Sequence, residues 1–318
     1  MEMNTGEIRN ADICLVVIFN HRYDENITKL RIIYQNRFHK MRFLVPFYDG
    51  EDKDVIPVYE CSYQFSGYLI QAYNKLIADG AKYYFFIADD LILAPDINED
   101  NVLQLLKMQG REIFAISVNP LNSEGMCVWP HARFSSVPFL KERTQWKNSI
   151  PNYQDALDKF QLFFDQPYLE EYTDAFFKNG SEQISQKEKD DFIQRNGNGL
   201  AIPYPMAYGY SDIFMIKAEA FFPIARLCGV FSAMNMFAEI SLPTAIVLSV
   251  PRSRVIFLAD TGYNCKIEWD ENRALIEEKC RLDFGTLYEK WDTPNLFIHP
   301  VKLSKWKIEH EEKLTLAD

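Results

Sequence analysis

An apolar run that ends in two adjacent carboxylates constrains the fold of this sequence more than any other stretch. Residues 83–88 are apolar or aromatic, and Asp89 and Asp90 follow them directly. A continuous apolar run of this length, bounded by Gly80 and Pro95, predicts a strand that is buried on both faces. Such strands belong to parallel sheets covered by helices, and open α/β sheets bind their ligands at the carboxyl ends of these strands.

The acid pair at that edge predicts a metal site. Two like charges so close repel each other, and the repulsion is costly unless the carboxylates are hydrated or paired with cations. A divalent ion that carries a diphosphate would neutralise them, because Mg²⁺ and Mn²⁺ prefer carboxylate and phosphate oxygens. The alternative is an ordinary solvated turn after the strand, and two acidic residues alone do not distinguish it from a metal site.

A resemblance to a known family narrows this choice. Residues 88–96 read ADDLILAPD, and this string resembles the acidic motif of glycosyltransferases with the GT-A fold. It is most similar to the Glu-Asp-Asp-Leu form of N-acetylglucosaminyltransferase I, which also continues into Ala-Pro-Asp. The resemblance implies metal binding by Asp90 and nucleotide contact by Asp89. Ala88 stands where that family has an acid, so the identity of the nucleotide stays open.

Hydrophobic periodicity along the chain predicts an α/β fold. We expect a GT-A-like (Rossmann-like) mostly parallel central sheet flanked by helices, with a helical insertion. Strand patterns at 13–19, 41–47, 55–59, 112–118, 213–216 and 255–258 accompany helical patterns at 27–34, 65–76, 101–108, 221–228, 234–246 and 266–291.

These patterns predict one GT-A-like domain over residues 1–318. Its parts are a nucleotide-binding half at 11–140, a helical insertion at 141–199, and an acceptor half with a C-terminal metal-binding segment at 200–318. The insertion is rich in charge, Gln and Asn, and it ends in a Gly-Asn-Gly stretch that favours a hinge. The insertion could act as a lid over the acceptor, or it could be a structural decoration or an oligomer contact, and the sequence favours neither role.

Composition and charge exclude several classes of protein. Hydrophobic residues make up 47% of the 318 residues, and the net charge is −11. An acidic chain without a basic block is a poor candidate for nucleic-acid binding. Residues 1–10 lack an apolar segment and no run of about 18 apolar residues exists, so we expect neither a signal peptide nor a transmembrane helix. The six cysteines form no CxxC pair, which favours reduced thiols and a cytoplasmic protein.

The loop after the first predicted strand is a candidate nucleotide contact. It begins Asn20-His21-Arg22 and lacks a GxGxxG signature, so dinucleotide binding is not indicated. In GT-A enzymes the corresponding loop contacts the nucleotide, and the resemblance makes Asn20 and Arg22 the candidates. The alternative for Arg22 is a surface ion pair with Asp24 or Glu25.

Two further acids are candidates for the chemistry of transfer. Asp212 follows a Gly-aromatic turn that resembles the segment bordering donor and acceptor in GT-A enzymes, which implies contact with a sugar hydroxyl; a turn cap is the alternative. Glu239 lies in an apolar helical run, where a carboxylate is expensive to bury without a partner or a task. The resemblance implies a base in an inverting enzyme, or a group that positions the acceptor in a retaining one. A surface Glu is the alternative.

The C-terminal segment supplies the remaining candidates. His299 ends an apolar run, and Pro300 and Lys302 follow it. Many GT-A enzymes have a His-Pro-x-Lys-like segment, and this resemblance implies that His299 completes the metal shell and Lys302 meets the diphosphate. A lone His is more often structural. Trp129 is a candidate for stacking on a sugar, with core burial as its alternative.

The sequence therefore predicts a metal-dependent glycosyltransferase that uses Mn²⁺ or Mg²⁺. The donor would be a nucleotide sugar, with UDP favoured, and the acceptor a glycan or lipid-linked hydroxyl in polysaccharide biosynthesis. The sequence does not distinguish hexosyl from N-acetylhexosaminyl transfer, or inversion from retention. Peripheral contact with a membrane also stays open. One alternative is a nucleotidyltransferase acting on sugar phosphates, although it should carry a glycine-rich basic loop after the first strand. The other is a non-catalytic carbohydrate-binding protein, which would not explain acids at a strand end.

Overall fold

Strands and helices alternate along most of the chain. The computed structural model describes residues 13–121, 148–179, 182–183, 185–197 and 199–308. The described strands are β1 Ile13–Ile18, β2 Lys40–Pro46, β3 Val55–Val58, β4 Tyr83–Ala88, β5 Ile92–Leu93, β6 Ile113–Ala115, β7 Asn119–Pro120, β8 Lys178–Asn179, β9 Glu182–Gln183, β10 Ala207–Tyr208, β11 Ile213–Lys217, β12 Val255–Phe257, β13 Asn264–Ile267 and β14 Asn295–His299. The described helices are α1 Glu25–Tyr34, α2 Tyr68–Ala78, α3 Val102–Leu105, α4 Tyr153–Phe164, α5 Gln186–Asn196, α6 Ala218–Ala233, α7 Ala238–Ser249, α8 Leu258–Thr261, α9 Asp270–Cys280 and α10 Phe284–Glu289.

Seven strands form the central sheet, in the order β12-β6-β11-β4-β1-β2-β3. Strand β1 pairs in parallel with β2 and β4, β2 pairs in parallel with β3, and β12 pairs in parallel with β6. Strand β11 instead runs antiparallel to both of its neighbours, β4 and β6. The prediction of an α/β fold with a mostly parallel central sheet flanked by helices is confirmed.

Two hydrophobic cores cover the two faces of this sheet. Alternate side chains of β1 enter different cores, because successive residues of a strand point to opposite faces. Val16 belongs to one core, whereas Leu15 and Val17 belong to the other. The first core includes residues of α2, α6 and α7, and the second includes residues of α1, α3, α10 and β14. Because β1 and β4 are covered on both faces, their sequences are apolar throughout.

A second, three-stranded sheet joins the C-terminal segment to the acidic motif. Its order is β13-β14-β5, and β14 runs antiparallel to β5 with Ile298 opposite Ile92. Backbone pairing continues past the end of β14, where the N–H of Val301 donates to the carbonyl of Asp90 at 2.7 Å. Because β5 begins two residues after Asp90, this register carries the residues after Ile298 to the carboxyl end of β4.

The segment predicted as a helical insertion contains α4, α5 and the paired strands β8 and β9. Helix α5 begins with a capping box, in which Ser185 and Glu188 each accept the other's backbone N–H. Helix α4 packs against α7, and Phe160 and Phe192 belong to the same core as α7. The segment is therefore continuous with the main core, and its action as a lid stays a prediction.

Helix α7 begins later than the sequence pattern predicted. The apolar run suggested a helix from Met234, but α7 starts at Ala238. Asn235 adopts a left-handed φ of 59°, which Asn tolerates better than most residues, and it separates α7 from the helix before it. None of the described helices combines the length and the apolar character needed to cross a membrane.

The end of one strand also differs from the sequence prediction, and the residue before α1 forms an ion pair rather than a cap. Strand β6 ends at Ala115 rather than near Val118, because its antiparallel partner β11 begins at that point. Asp24 occupies the N-cap position of α1 but makes no side-chain capping bond. Its carboxylate instead accepts hydrogen bonds from Arg22, at 2.9 Å for the shortest, so ion pairing replaces capping.

Strand β14 contributes to the core, and a pair of matched variants measures that contribution. Leu296 is fully buried, so Leu296→Ala should lower the free energy of unfolding by about 2–5 kcal/mol through lost contacts and a residual cavity. Leu162 is 80% exposed, and Leu162→Ala should change stability by less than about 0.5 kcal/mol. Urea denaturation followed by tryptophan fluorescence compares the two. Equal losses would contradict the burial of β14.

Candidate functional site

A buried carboxylate with two basic partners forms the centre of the candidate site. Asp90 follows β4, and its side chain is 12% exposed. Its Oδ1 lies 3.0 Å from Nε2 of His299, and its Oδ2 accepts a hydrogen bond from Nζ of Lys302 at 2.8 Å. Burial would raise the pKa of Asp90, but the contacts with His299 and Lys302 outweigh burial and lower the pKa to about 2. Asp90 is therefore ionised at neutral pH.

The cluster opens to solvent on the side of Lys302. The side chain of Lys302 is 44% exposed, whereas that of His299 is 4% exposed. Burial lowers the pKa of His299, but the hydrogen bond to Asp90 and the charges of Asp212 and Asp90 raise it, and the net shift is upward. A charged ligand would therefore approach past the ammonium group and meet the imidazole behind it.

Asp212 joins the same cluster because β11 runs antiparallel to β4. The carbonyl of Asp212 accepts the N–H of Ala88 at 2.8 Å, so the start of β11 lies beside the end of β4. Oδ2 of Asp212 is 3.9 Å from Nε2 of His299. Burial raises the pKa of Asp212, and the opposing effect of His299 is smaller. Two carboxylates, those of Asp90 and Asp212, thus flank one imidazole.

Tyr210 contacts the other nitrogen of that imidazole, and sequence reasoning assigned it no role. Its hydroxyl lies 2.9 Å from Nδ1 of His299. Burial, together with the charges of Asp212 and Asp90, raises the pKa of Tyr210, so the side chain is a neutral phenol. The available signal was its position two residues before Asp212, since such residues share a side of an extended segment.

Glu239 lies in the first turn of α7, and its backbone bonds to the segment that leads into Asp212. Its carbonyl accepts the N–H of Gly209 at 2.9 Å. The side chain keeps partial access to solvent but is closely surrounded by protein. Burial and the nearby charge of Asp212 raise its pKa from the ordinary 4.5 to about 8. Glu239 is therefore mostly protonated at neutral pH, which is the behaviour of a carboxyl group in a functional pocket.

The turn between Tyr208 and Asp212 requires a glycine. A Cβ atom on Gly209 would lie 2.1 Å from the carbonyl oxygen of Ser117, a distance that no side chain tolerates. The backbone of the turn can therefore approach Ser117 closely while it also bonds to the start of α7. The close approach thus holds the segment before Asp212 beside the first turn of α7, which carries Glu239.

Asp89 faces the loop after β1 rather than the Lys302 side of the cluster. Its Oδ1 accepts the backbone N–H of Asn20 at 3.4 Å. Burial and the charge of Asp90 raise the pKa of Asp89 to about 7. Asp89 thus connects the end of β4 to the loop that follows β1. Whether it also contacts a nucleotide stays a prediction.

Arg22 belongs to the loops at the same edge of the sheet. Its guanidinium forms ion pairs with Asp24 at 2.9 Å and with Asp49 at 2.6 Å, and it donates to the carbonyl of Phe47 at 3.2 Å. The pairing with Asp24 is the alternative that the sequence left open. Nucleotide contact by Arg22 stays a prediction, and it would compete with these two carboxylates.

Exposed aromatic rings surround this loop region and were not predicted from the sequence. Phe47 is 58% exposed and Tyr59 is 64% exposed, and their ring centroids are 6.2 Å apart. They follow β2 and β3 directly. Phe47 has a left-handed φ of 57°, which is rare for a bulky residue and is often retained at functional sites. The carboxyl ends of β2 and β3 therefore present an aromatic surface to solvent.

One more aromatic residue borders the cluster. Trp269 is 51% exposed, and its ring lies edge-on to His299, with centroids 5.5 Å apart and an interplanar angle of 85°. Its neighbour Glu268 donates its N–H to the carbonyl of His299 at 2.8 Å, which fixes the position of this segment. Trp129, the sugar-stacking candidate from the sequence, lies outside the described residues.

The donor set suits a divalent ion that brings further ligands with it. Within the described ranges, no group of three His, Cys, Asp or Glu side chains is arranged to hold an ion by itself. Asp90 and His299 instead offer one carboxylate oxygen and one imidazole nitrogen from groups 3.0 Å apart. Mg²⁺ is commonly bound through one or two carboxylates together with substrate phosphates, and carboxylate ligands also suit Mn²⁺. The residues present therefore fit an ion that arrives with a diphosphate.

Comparison with known proteins adds little to this description. No protein-family model and no curated protein matches the chain. Among solved structures, it is similar to the X-ray structure of the mannosyltransferase Ktr4p from S. cerevisiae in complex with GDP. The identity is 10%, over 79% of this chain and 70% of that chain, and the TM-score is 0.38. A likeness at this level supports no conclusion about fold or function, so both rest on the residues described above.

The raised pKa of Glu239 makes stability depend on pH in a predictable direction. The folded protein binds the proton of Glu239 more tightly than the unfolded chain does between about pH 4.5 and pH 8, so this group loses stabilising free energy as pH rises through that window. Glu239→Gln should remove this loss. The free energy of unfolding of Glu239→Gln minus that of the parent should therefore be larger at pH 9 than at pH 5, by at least about 1 kcal/mol. Urea denaturation at both pH values measures it.

The exposed Glu51 provides the matched control for this experiment. Glu51→Gln should keep the pH dependence of the parent. If Glu239→Gln and Glu51→Gln follow the same curve from pH 5 to pH 9, then Glu239 does not have a raised pKa in the folded protein.

Proposed function

We propose that this chain is a metal-dependent glycosyltransferase, which moves a sugar from a nucleotide-diphosphate donor to a hydroxyl group of a glycan or lipid-linked acceptor. The observation that carries the proposal is the convergence of Asp90, His299 and Lys302 at the carboxyl edge of a mostly parallel sheet. Open α/β sheets bind ligands at that edge. The resemblance of residues 88–96 to the GT-A acidic motif supports the same class.

The three central residues would hold and neutralise the diphosphate. A divalent ion bound by Asp90 and His299 would act as a Lewis acid on the departing diphosphate. Lys302 bonds Asp90 from the solvent side, and its exposed stem leaves it free to turn toward a phosphate oxygen. A lysine ammonium suits phosphate as a point charge, and its charge favours the leaving group as negative charge develops there.

The nucleoside of the donor would lie across the ends of β1, β2 and β3. Neighbouring strands are about 4.8 Å apart, so the ends of β2 and β4 are separated by about 10 Å. Asn20 and Asp89 provide polar groups at the end of β1, and Phe47 and Tyr59 provide exposed rings beyond them. Arg22 remains a candidate contact, although two carboxylates already bind it. Stacking accepts any base, so UDP is favoured by the motif resemblance alone.

Glu239 and Asp212 would act on the acceptor side. In an inverting reaction, Glu239 would take the proton of the attacking hydroxyl, and because its pKa is about 8, the rate would rise with pH up to that value. In a retaining reaction, Glu239 would position the acceptor, and the rate would not follow its ionisation. Asp212 would bind a sugar hydroxyl beside it.

Removal of the central carboxylate tests the proposed metal site. Asp90→Asn should abolish sugar transfer and weaken Mn²⁺-dependent binding of UDP or GDP by more than about 10-fold, the lower limit of losses seen when even an outer-shell partner of a metal is removed. Isothermal titration calorimetry with and without Mn²⁺ measures the binding. Asp100→Asn, at an exposed position in the turn before α3, is the control and should bind like the parent. Unchanged Mn²⁺-dependent affinity in Asp90→Asn would refute the metal site.

A donor panel with Mn²⁺ tests the reaction class itself. UDP-, GDP- and CDP-sugars are incubated with the protein and hydroxyl acceptors, and we expect release of the free nucleoside diphosphate. Release of pyrophosphate from a nucleoside triphosphate and a sugar 1-phosphate would instead identify a nucleotidyltransferase. Sugar binding without turnover of any donor would indicate a carbohydrate-binding protein.

A further inference from the structure

Trp269 presents an exposed indole beside the imidazole of His299. The residue is 51% exposed, whereas tryptophan is highly buried on average in folded proteins. Its ring centroid lies 5.5 Å from that of His299, and the two ring planes are nearly perpendicular, at 85°. A perpendicular contact covers one edge or one face of the indole, so this degree of exposure leaves a face in solvent. The candidate site therefore has a flat apolar surface next to its imidazole.

The backbone holds this part of the chain in place before any ligand binds. Ile267 of β13 pairs in parallel with His299 of β14, and the next residue, Glu268, donates its N–H to the carbonyl of His299 at 2.8 Å. Trp269 follows as the N-cap residue of α9, and its carbonyl accepts the N–H of Asn272 at 3.2 Å. Binding to a group that is already positioned costs less conformational entropy, which favours affinity.

Strand order places Trp269 away from the surface proposed for the nucleoside. In the central sheet, β11 adjoins β4 on the side opposite β1, and β2 and β3 lie beyond β1. The imidazole of His299 lies 3.0 Å from Asp90 after β4 and 3.9 Å from Asp212 before β11, so it is between the ends of these two strands. A diphosphate joins a nucleoside to a sugar. With the diphosphate at Asp90 and the nucleoside toward β2, the sugar would therefore point toward β11 and the indole.

We propose that Trp269 stacks on the pyranose ring of the donor sugar and so helps the protein to bind a nucleotide sugar in preference to the free nucleoside diphosphate. The inference rests on the proposed function and adds a residue that recognises the transferred group. A pyranose has C–H groups on its faces and hydroxyl groups around its rim. The indole offers a large apolar face and one N–H donor, and Asp212 offers carboxyl oxygens to the rim.

The surroundings of Trp269 favour a sugar over other occupants. A single exposed apolar side chain is ordinary on a protein surface and by itself indicates no ligand. This one, however, contacts a buried residue of the charged cluster. Its neighbours Glu268, Asp270 and Glu271 are acidic, and this charge disfavours the surface of an anionic membrane. A sugar is uncharged and is not repelled by these groups.

Truncation of the indole should separate binding of the sugar from binding of the nucleotide. With Mn²⁺ present, Trp269→Ala should weaken binding of the nucleotide sugar by about 5-fold or more, the loss expected on truncation of an aromatic residue that anchors a ligand. Its affinity for the matching nucleoside diphosphate should be unchanged. Isothermal titration calorimetry without acceptor measures both. The probes are the UDP-, GDP- or CDP-sugar that turns over fastest in the donor panel and the nucleoside diphosphate derived from it.

Three further variants test whether a flat ring at this position is what matters. Trp269→Phe keeps an aromatic face and should retain more affinity for the nucleotide sugar than Trp269→Leu, which is apolar but not flat. Phe222→Ala is the matched control, because Phe222 is 49% exposed on α6 and lies near the opposite edge of the sheet, where β11 ends. It should bind both probes like the parent.

Fluorine NMR of protein labelled with 5-fluorotryptophan detects the contact without relying on a loss of affinity. The Trp269 resonance is assigned by its absence from Trp269→Phe. With Mg²⁺ present, the nucleotide sugar should shift this resonance more than the nucleoside diphosphate does. Equal shifts with the two probes would contradict stacking on the sugar.

The outcomes separate this inference from the proposed function. If Trp269→Ala weakens binding of both probes equally, the indole supports His299 rather than the sugar, and the inference is wrong while the proposed function stands. If affinity for the nucleotide sugar is unchanged and only the KM of the acceptor rises, the indole contacts the acceptor, and the assignment to the donor is wrong. If the parent turns over no donor of the panel, the proposed function and this inference are both overturned.

Discussion

The antiparallel pairing of β14 with β5 is the contact on which the candidate site depends. It brings His299 to Asp90 across 209 positions of the chain. A free terminal segment would lose conformational entropy each time it bound a ligand. Here the segment is ordered when the chain folds, because Leu296 is fully buried in β14 and Lys29 of α1 donates to the carbonyls of Leu303 and Trp306 beyond it. The imidazole is therefore positioned before any ligand arrives.

Charge is the second constraint on the site. Burial raises the pKa values of Asp89, Asp212 and Glu239, whereas Asp90 is kept ionised by its two basic partners. Several carboxyl groups thus share one edge of the sheet, and burial holds three of them toward their neutral forms. An added cation would favour their ionised forms, and it would also attract an anionic diphosphate. The same electrostatic demand connects the fold to the function proposed for it.

The sequence predicted the parts of the site that follow from local pattern. The apolar run before Asp89 defined the central strand, and the apolar run before His299 placed that residue in the core. It did not predict Tyr210, because nothing in the local sequence shows that β11 runs antiparallel and starts beside the end of β4. The exposed ring of Phe47 depends on a left-handed backbone angle, which strand periodicity does not encode. The two features that the sequence did not predict, Tyr210 and the exposed ring of Phe47, depend on long-range strand pairing and on local backbone strain.

Pulsed electron paramagnetic resonance of Mn²⁺ bound with UDP or GDP can identify the ligands of the proposed ion. In the proposed site, one imidazole on β14 and one diphosphate share the ion with Asp90. We expect a ¹⁴N modulation from a single histidine together with ³¹P couplings, and we expect His299→Gln to remove the nitrogen signal. Bound Mn²⁺ with phosphorus couplings but no nitrogen modulation, or a nitrogen signal that survives in His299→Gln, would contradict it.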